Sequence, residues 1–127
     1  MRQRVSSNSP YEPVIAFSRA VRAGNLVFVS GTVGRDAVGQ LKAGVYEQAK
    51  QAIANIEAAL VEAGAALRDV VRTRIYLADI ATWEEAARAH REAFADVMPA
   101  CTLVEVSRLA GPEMLVEVEA DAVIDAS

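Results

Sequence analysis

Residues 99–109 read PACTLVEVSRL, and residues 115–120 read LVEVEA. In both stretches apolar side chains alternate with polar ones, and this period of two residues is typical of half-buried β-strands. The residues between them include Gly111-Pro112, a pair that favours a turn and interrupts regular structure. The chain is therefore predicted to end in two strands joined by a short connection.

The alternation also predicts which side chains share a face of the sheet. One set is expected to pack against helices, and the other set mixes apolar groups with carboxylates. Nothing else in the chain is available to cover that second face, so we expect a closed homo-oligomer. The helix-facing set is Val104, Val106, Val116, Val118, Ala120 and Ala122, and the opposite set is Cys101, Leu103, Glu105, Glu117, Glu119 and Asp121.

The first third of the chain predicts a short strand followed by a hairpin. The apolar runs Phe17–Val21 and Leu26–Ser30 flank a segment that contains Gly24-Asn25. These two residue types tolerate the positive φ of a tight hairpin turn. Residues 6–12 are rich in Ser, Asn and Pro, and we expect them to form a loop.

Two helices are predicted from apolar side chains at helical spacing. The first runs from about Val45 to Ala63, and Gly64 stands where a left-handed residue commonly ends a helix. The second is expected to begin with a capping box of Thr82 and Glu85 and to end before Pro99.

Between the helices, Val70–Leu77 is rich enough in β-branched and aromatic residues to be a strand. The predicted order is therefore β-β-β-α-β-α-β-β. This order indicates an α+β fold in which two helices pack on one face of a sheet. The length of 127 residues fits one domain, which we expect to span residues 1–127.

Composition argues against several classes of partner and binding site. A net charge of −4, from 13 basic and 17 acidic residues, argues against nucleic acid and anionic membranes as partners. One cysteine and one histidine leave no pair for a disulfide and no thiolate zinc site. We therefore expect no metal and no cofactor. No apolar run has the length of a signal peptide or a membrane span, and we expect a cytoplasmic protein.

Four stretches together resemble the RidA/YjgF family. The resemblance implies a chorismate-mutase-like subunit that forms a homotrimer with small-molecule clefts between subunits. Active members hydrolyse enamines and imines, such as 2-aminoacrylate, to 2-keto acids and ammonia without a cofactor. The stretches are Val27-Phe28-Val29-Ser30-Gly31, Ala54-Asn55-Ile56-Glu57 with Ala63-Gly64, residues 70–79, and Pro99-Ala100 through Val116-Glu117-Val118-Glu119-Ala120.

The resemblance also implies site residues. Ser30 and Gly31 stand where the family has its Ser-Gly, and Glu117 stands at its acidic position in the last strand. Cys101 occupies the position of the arginine that holds the substrate carboxylate, and Phe17 replaces a common tyrosine. A guanidinium matches a carboxylate bidentately, so its loss removes several kcal/mol of substrate binding.

Each candidate has a second interpretation. Cys101 is either a wall of the pocket or a reactive thiolate, and Glu117 is either a general base or a structural carboxylate at an interface. Arg19 is predicted to share a strand face with Phe17, where it would supply the missing cation or lie at the surface. His90 falls on the apolar stripe of the second helix, where a histidine is more often packed and hydrogen-bonded than catalytic.

These observations favour a protein that binds small metabolites in clefts between subunits and hydrolyses an enamine or imine. In that hypothesis Glu117 is catalytic, while Ser30, Gly31, Cys101, Phe17 and Arg19 bind the substrate. The alternative is a trimer that binds a ligand or a protein without catalysis. A third hypothesis uses the label ribonuclease or translation inhibitor sometimes given to the family, and the acidic composition argues against it.

Overall fold

The computed structural model describes residues 2–125, which form one mixed sheet of six strands with three helices. The sheet order is β1-β2-β3-β6-β4-β5, and every neighbouring pair is antiparallel except β4 and β5. The elements are β1 (Arg2–Val5), α1 (Tyr11–Ile15), β2 (Ala20–Ala23), β3 (Leu26–Thr32), α2 (Val45–Glu62), β4 (Val70–Leu77), α3 (Trp83–Phe94), β5 (Ala100–Glu105) and β6 (Val116–Val123).

The α+β fold is confirmed, and the two long helices lie where the sequence predicts them. Helix α2 ends one residue before the predicted boundary, and Gly64 has the left-handed φ of 89° expected after a helix. The apolar stripe of α2 is buried together with one face of the sheet. The largest fully buried side chains are Phe94, Ile56, Leu60, Leu77, Val27, Val116 and Val118 with Thr73.

Strand β6 alternates as predicted. Val116, Val118, Ala120 and Ala122 are buried in the core, and the residues between them are only partly buried. This strand lies between β3 and β4 in the sheet, and its inward side chains pack in the core with those of α2. Because one face of the strand is buried along its length, buried and partly buried residues alternate strictly.

The predicted faces of β5 are wrong. In the parallel pair, Leu103 lies beside the core residue Ile75, whereas Val104 lies beside Tyr76 on the open face and is exposed. Cys101 and Glu105 therefore share the helix side with Leu103. Because β5 is the edge strand, both of its sides reach solvent and polar groups are tolerated on either one.

Two local predictions are also wrong. The strand predicted to begin at Phe17 begins at Ala20, because Ala16 ends α1 with a left-handed φ of 72° and leads into an irregular segment. The Thr82 side chain makes no capping bond and instead donates to the Asp79 carbonyl oxygen at 2.7 Å. A 3₁₀ turn over Ile80–Thr82 occupies the place of the predicted cap.

The face of the sheet away from α2 and α3 carries charged and aromatic side chains. Arg74 forms ion pairs with Asp121 at 3.2 Å and Glu119 at 3.8 Å, and the Tyr76 hydroxyl donates to Glu119. Phe28 is 47% exposed on the same face, directly across from Asp121. We call this surface the open face.

Among the helices of residues 2–125, none has the length and apolarity needed to cross a membrane.

His90 holds α3 against the centre of the sheet. Its Nε2 lies 2.8 Å from the hydroxyl of Thr73, which is completely buried, and its ring packs on Phe94 at 4.6 Å between centroids. Burial lowers the pKa of His90 below its ordinary value of 6.5. The histidine is thus a packed, half-buried, neutral residue, as its position on the stripe predicts.

The stability of the protein is expected to depend on this histidine in mildly acidic solution. The unfolded chain takes up a proton near pH 6.5 and the folded His90 resists it, so the free energy of unfolding falls as pH drops below that value. Denaturant titrations between pH 5 and pH 8 measure the slope. His90→Gln keeps a polar group opposite Thr73 but does not titrate, and an unchanged slope in this variant would contradict the assignment.

Candidate functional site

A cavity of about 760 Å³ lies beside the end of β3. Strand β2 pairs with β3 as far as Ala20 opposite Val29, and the Ser30 amide still donates to the Arg19 carbonyl oxygen at 2.9 Å. Beyond that point, Gly31 and Thr32 at the end of β3 have no neighbouring strand on this side. The cavity occupies this gap, between the N-terminal segment, α2 and the loop after β3. Four of the predicted site residues line it, namely Phe17, Arg19, Gly31 and Glu117.

Arg19 fills the place that a longer β2 would take. Arg19 as a whole residue is buried (8% exposed), and Nη1 donates to the Gly31 carbonyl oxygen at 2.6 Å and to Thr32 Oγ1 at 3.0 Å. Nε donates to Ser7 Oγ at 3.1 Å, and the Phe17 ring centroid lies 5.3 Å from Cζ. Arg19 and Phe17 are therefore neighbours, but the prediction that they share one face of a strand is wrong, because neither belongs to a regular strand.

One nitrogen of Arg19 remains available. No hydrogen bond within residues 2–125 involves Nη2, and this atom is not among the fully buried, unpaired ones. Burial lowers the pKa of Arg19, while the charges of Glu12 and Glu117 oppose that effect. Arginine stays protonated even so. The cavity thus contains a fixed cation with a free donor.

Glu117 lies directly over the backbone of Gly31. A side chain at position 31 would collide with the Glu117 carboxylate, so this approach requires glycine. The register between β3 and β6 shifts between Val29 and Thr32, which places a bulge at Ser30 and Gly31. Bulges redirect side chains next to functional sites, and this one makes room for the carboxylate.

The Glu117 carboxylate is partly buried and has no hydrogen-bond donor within the described part of the chain, residues 2–125. Burial raises the pKa of Glu117, the guanidinium of Arg19 lowers it, and the neighbouring Glu119 raises it again. The net effect is a pKa above the ordinary value of 4.5. A carboxylate with a raised pKa is a stronger proton acceptor than an ordinary one and can serve as a general base.

A second carboxylate anchors the N-terminal segment. Glu12 accepts hydrogen bonds from Ser6 Oγ at 2.9 Å, Ser7 N at 3.1 Å, Ser7 Oγ at 2.7 Å and Ser9 N at 3.2 Å. Burial alone would raise the pKa of Glu12, but these bonds outweigh it and lower the pKa. Since Ser7 Oγ also accepts from Arg19, the segment is tied to the wall of the cavity.

Ser30 lies on the other side of Phe17. Its hydroxyl donates to the Ser18 carbonyl oxygen at 2.7 Å, and it lines an adjacent hollow of about 670 Å³ together with Arg4 and Glu12. Phe17 borders both spaces and forms the wall between them. The structure therefore separates Ser30 from Gly31, which the sequence treats as one motif.

Cys101 is not brought to either space within one chain. It is exposed on β5, and β4 lies between β5 and the strand that carries Glu117. Two strand spacings amount to about 10 Å, and Cys101 also points to the helix side whereas Glu117 lies on the open face. The prediction that these two residues share a face is wrong, because β5 has the opposite parity.

The loop after β3 closes the cavity, a role that was not predicted from the sequence. Asn55 on α2 donates from Nδ2 to the carbonyl oxygens of Val33 at 3.3 Å and Arg35 at 2.9 Å, and so holds the loop after β3. The signal available in the sequence is the single asparagine of α2, which interrupts its alanine-rich middle. No group of three or more His, Cys, Asp or Glu side chains suited to a metal ion occurs within residues 2–125.

The pKa of Glu117 should report its pairing with Arg19. Arg19→Gln removes the positive charge and is expected to raise the pKa of Glu117 further, whereas Arg19→Lys keeps the charge and a lower pKa. Carbon-13 NMR of the carboxyl groups during a pH titration measures both variants. Equal Glu117 pKa values in the two variants would show that the two groups do not interact.

Comparisons with known proteins agree with this architecture. A family model described as Endoribonuclease L-PSP matches residues 7–124. A RutC family protein of Pyrococcus abyssi is 40% identical over 113 residues, which cover 87% of this chain and 88% of its own. The 2-iminobutanoate/2-iminopropanoate deaminase of Rattus norvegicus is 34% identical over 125 residues, covering 97% and 90%.

The crystal structure of Rv2704 from Mycobacterium tuberculosis is described as a member of the highly conserved YjgF/YER057c/UK114 family. It superimposes with a TM-score of 0.91 at 45% identity, covering 98% of this chain and 100% of that chain. The family model alone matches most of the length. The chain belongs to the RidA/YjgF family.

Proposed function

We propose that this protein hydrolyses an enamine or imine of a small metabolite to a carbonyl compound and ammonia. The observation that carries the proposal is the partly buried Glu117 carboxylate, with a raised pKa and no hydrogen-bond donor in residues 2–125, facing a cavity that also contains Arg19. The name of the rat relative, an imine deaminase, supports the same reaction class.

In the proposed reaction Glu117 acts first as a base and then as an acid. Its carboxylate takes a proton from water while the water oxygen bonds to the carbon of the protonated imine. The resulting amino alcohol collapses when Glu117 returns that proton to the nitrogen. Ammonia leaves as the C–N bond breaks, and Glu117 takes the hydroxyl proton as the C=O bond forms. One protonated imine and one water thus give one carbonyl compound, one ammonia and the proton that the imine carried. An enamine first gains a proton at its terminal carbon.

The other candidate residues take binding roles in this proposal. Arg19 Nη2 would receive an anionic group of the substrate, and Gly31 gives the Glu117 carboxylate its space. Phe17 and Ser30 shape the wall beside the cavity. Cys101 would contribute from the edge strand of a neighbouring subunit, which is how an exposed residue far from Glu117 could still line a cleft.

The proposed assembly is a cytoplasmic homotrimer whose subunits cover one another's open face. The support is the composition of that face, where exposed Phe28, Val71 and Val104 lie among ion pairs. An aromatic side chain surrounded by polar groups is typical of an interface core with a polar rim. The free thiol of Cys101 fits a reducing compartment.

Glu117→Gln should remove the proton acceptor without changing the shape of the site. We expect kcat/KM for ammonia release from freshly generated 2-aminoacrylate to fall by roughly 10²–10⁴-fold, the range for loss of a general base. In the unmodified protein kcat/KM should fall as pH is lowered through the raised pKa of Glu117, because the protonated acid cannot activate water.

Glu57→Gln is the matched control, since Glu57 is exposed on α2 and lines neither cavity. Equal rates for both variants would exclude Glu117 as the base. If neither the unmodified protein nor the control accelerates ammonia release from any imine tested, hydrolysis is excluded and the non-catalytic alternative replaces it.

Phe28→Asp tests the assembly. The new carboxylate would lie beside Asp121 on the open face, and two like charges there oppose burial against another subunit. We expect light scattering to show a trimer for the unmodified protein and a smaller species for the variant, with the folded circular dichroism spectrum retained. Val61→Asp, on the exposed side of α2, should stay trimeric. A trimeric Phe28→Asp variant would contradict the proposed interface.

A further inference from the structure

Arg19 and Glu117 lie beside the same glycine and yet form no ion pair. Nη1 of Arg19 donates to the Gly31 carbonyl oxygen at 2.6 Å, and the Glu117 carboxylate occupies the space that a side chain at Gly31 would need. Both residues belong to the described part of the chain, and no nitrogen of Arg19 lies within 4.0 Å of a carboxylate oxygen of Glu117. Opposite charges in a partly buried site gain by pairing, so their separation requires a restraint.

The acceptors around the guanidinium supply this restraint. Nε donates to Ser7 Oγ at 3.1 Å, and Nη1 donates to Thr32 Oγ1 at 3.0 Å as well as to Gly31. Because the guanidinium is planar and rigid, bonds from two of its nitrogens fix the direction of the third. Gly31 and Thr32 belong to β3, whereas Ser7 belongs to the N-terminal segment. Ser7 is therefore the part of the restraint that can be changed without altering the sheet.

Glu12 determines how Ser7 meets Arg19. A hydroxyl has one proton to donate and two lone pairs to accept with. Ser7 Oγ donates its proton to Glu12 Oε2 at 2.7 Å, so its lone pairs are directed to the Arg19 Nε–H. The Glu12 carboxylate is fixed in turn by the backbone amides of Ser7 and Ser9. A chain of hydrogen bonds thus runs from an anchored carboxylate through one hydroxyl to the buried cation.

We propose that Glu12 and Ser7 are positioning residues that hold Arg19 away from Glu117 and so keep the Glu117 carboxylate unpaired. Without the Ser7 hydroxyl, the Nε–H of Arg19 loses its acceptor. The carboxylate of Glu117, which accepts no hydrogen bond within residues 2–125, then takes its place. An ion pair makes Glu117 a weaker base and occupies the cation. This consequence for catalysis rests on the proposed function.

Ser7→Ala tests the restraint, because Ser7 is exposed and the variant changes no charge. We expect carbon-13 NMR to show a Glu117 pKa lower by about one pH unit or more. The acidic limb of the pH profile of kcat/KM for 2-aminoacrylate should move to lower pH with it. Ser6→Ala is the matched control, since Ser6 Oγ also donates to Glu12, at 2.9 Å, but forms no hydrogen bond with Arg19. It should leave the Glu117 pKa unchanged.

Two further variants separate the restraint from a general disturbance of the loop. Ser7→Thr keeps the hydroxyl and should keep the Glu117 pKa of the unmodified protein. Ser7→Ala combined with Arg19→Gln should show the same pKa as Arg19→Gln alone, because no cation is left to move. Glu119, which also acts on Glu117, is held by the Tyr76 hydroxyl on the open face and is the same in all these proteins.

Equal Glu117 pKa values in Ser7→Ala and Ser6→Ala would overturn the inference. A lowered pKa in Ser7→Thr, or one that persists without Arg19, would overturn it as well. These titrations require no turnover. If no imine is hydrolysed, the proposed function fails, and the NMR comparison still decides whether Ser7 holds Arg19 away from Glu117.

Discussion

The buried guanidinium of Arg19 connects every part of the candidate site. A buried cation is destabilising unless it is paired and hydrogen-bonded. Arg19 meets this requirement by donating to Gly31, Thr32 and Ser7, which belong to the end of β3 and to the N-terminal segment. The chain therefore closes around one side chain, and the gap left by the short β2 becomes an ordered cavity instead of a frayed sheet edge.

Two carboxylates lie within the field of this cation, and their surroundings give them different proton affinities. Glu12 is saturated by donors from three serines, so its pKa is lowered despite burial. Glu117 interacts with the charge of Arg19 but accepts no hydrogen bond within residues 2–125. The effect of burial is therefore larger than that of the cation, and the pKa of Glu117 is raised. Paired groups with diverging pKa values commonly divide structural and acid–base roles. Here Glu12 holds the segment and Glu117 remains free to exchange a proton.

Sequence patterns predicted correctly the elements that are determined mainly by burial of one apolar face. Helix α2, strand β4 and the alternation of β6 all follow from burial of one face. The errors occur where a second influence acts. The parity of β5 depends on its parallel pairing with β4, which no local pattern reveals. The role of Arg19 was open for a similar reason, since only the tertiary fold ends β2 early enough to bury it.

The presence of Cys101 at the position of the family arginine does not leave the cavity without a cation, because Arg19 lines it. The family resemblance assigns the substrate cation to position 101, on the edge strand, whereas this chain has a buried cation in the cavity next to Glu117. In the proposed site Arg19 would bind the anionic group of the substrate beside the end of β3. If Arg19 takes that role, the cation that binds the substrate comes from the same subunit as Glu117, whereas position 101 lies on an edge strand that lines neither cavity of its own subunit.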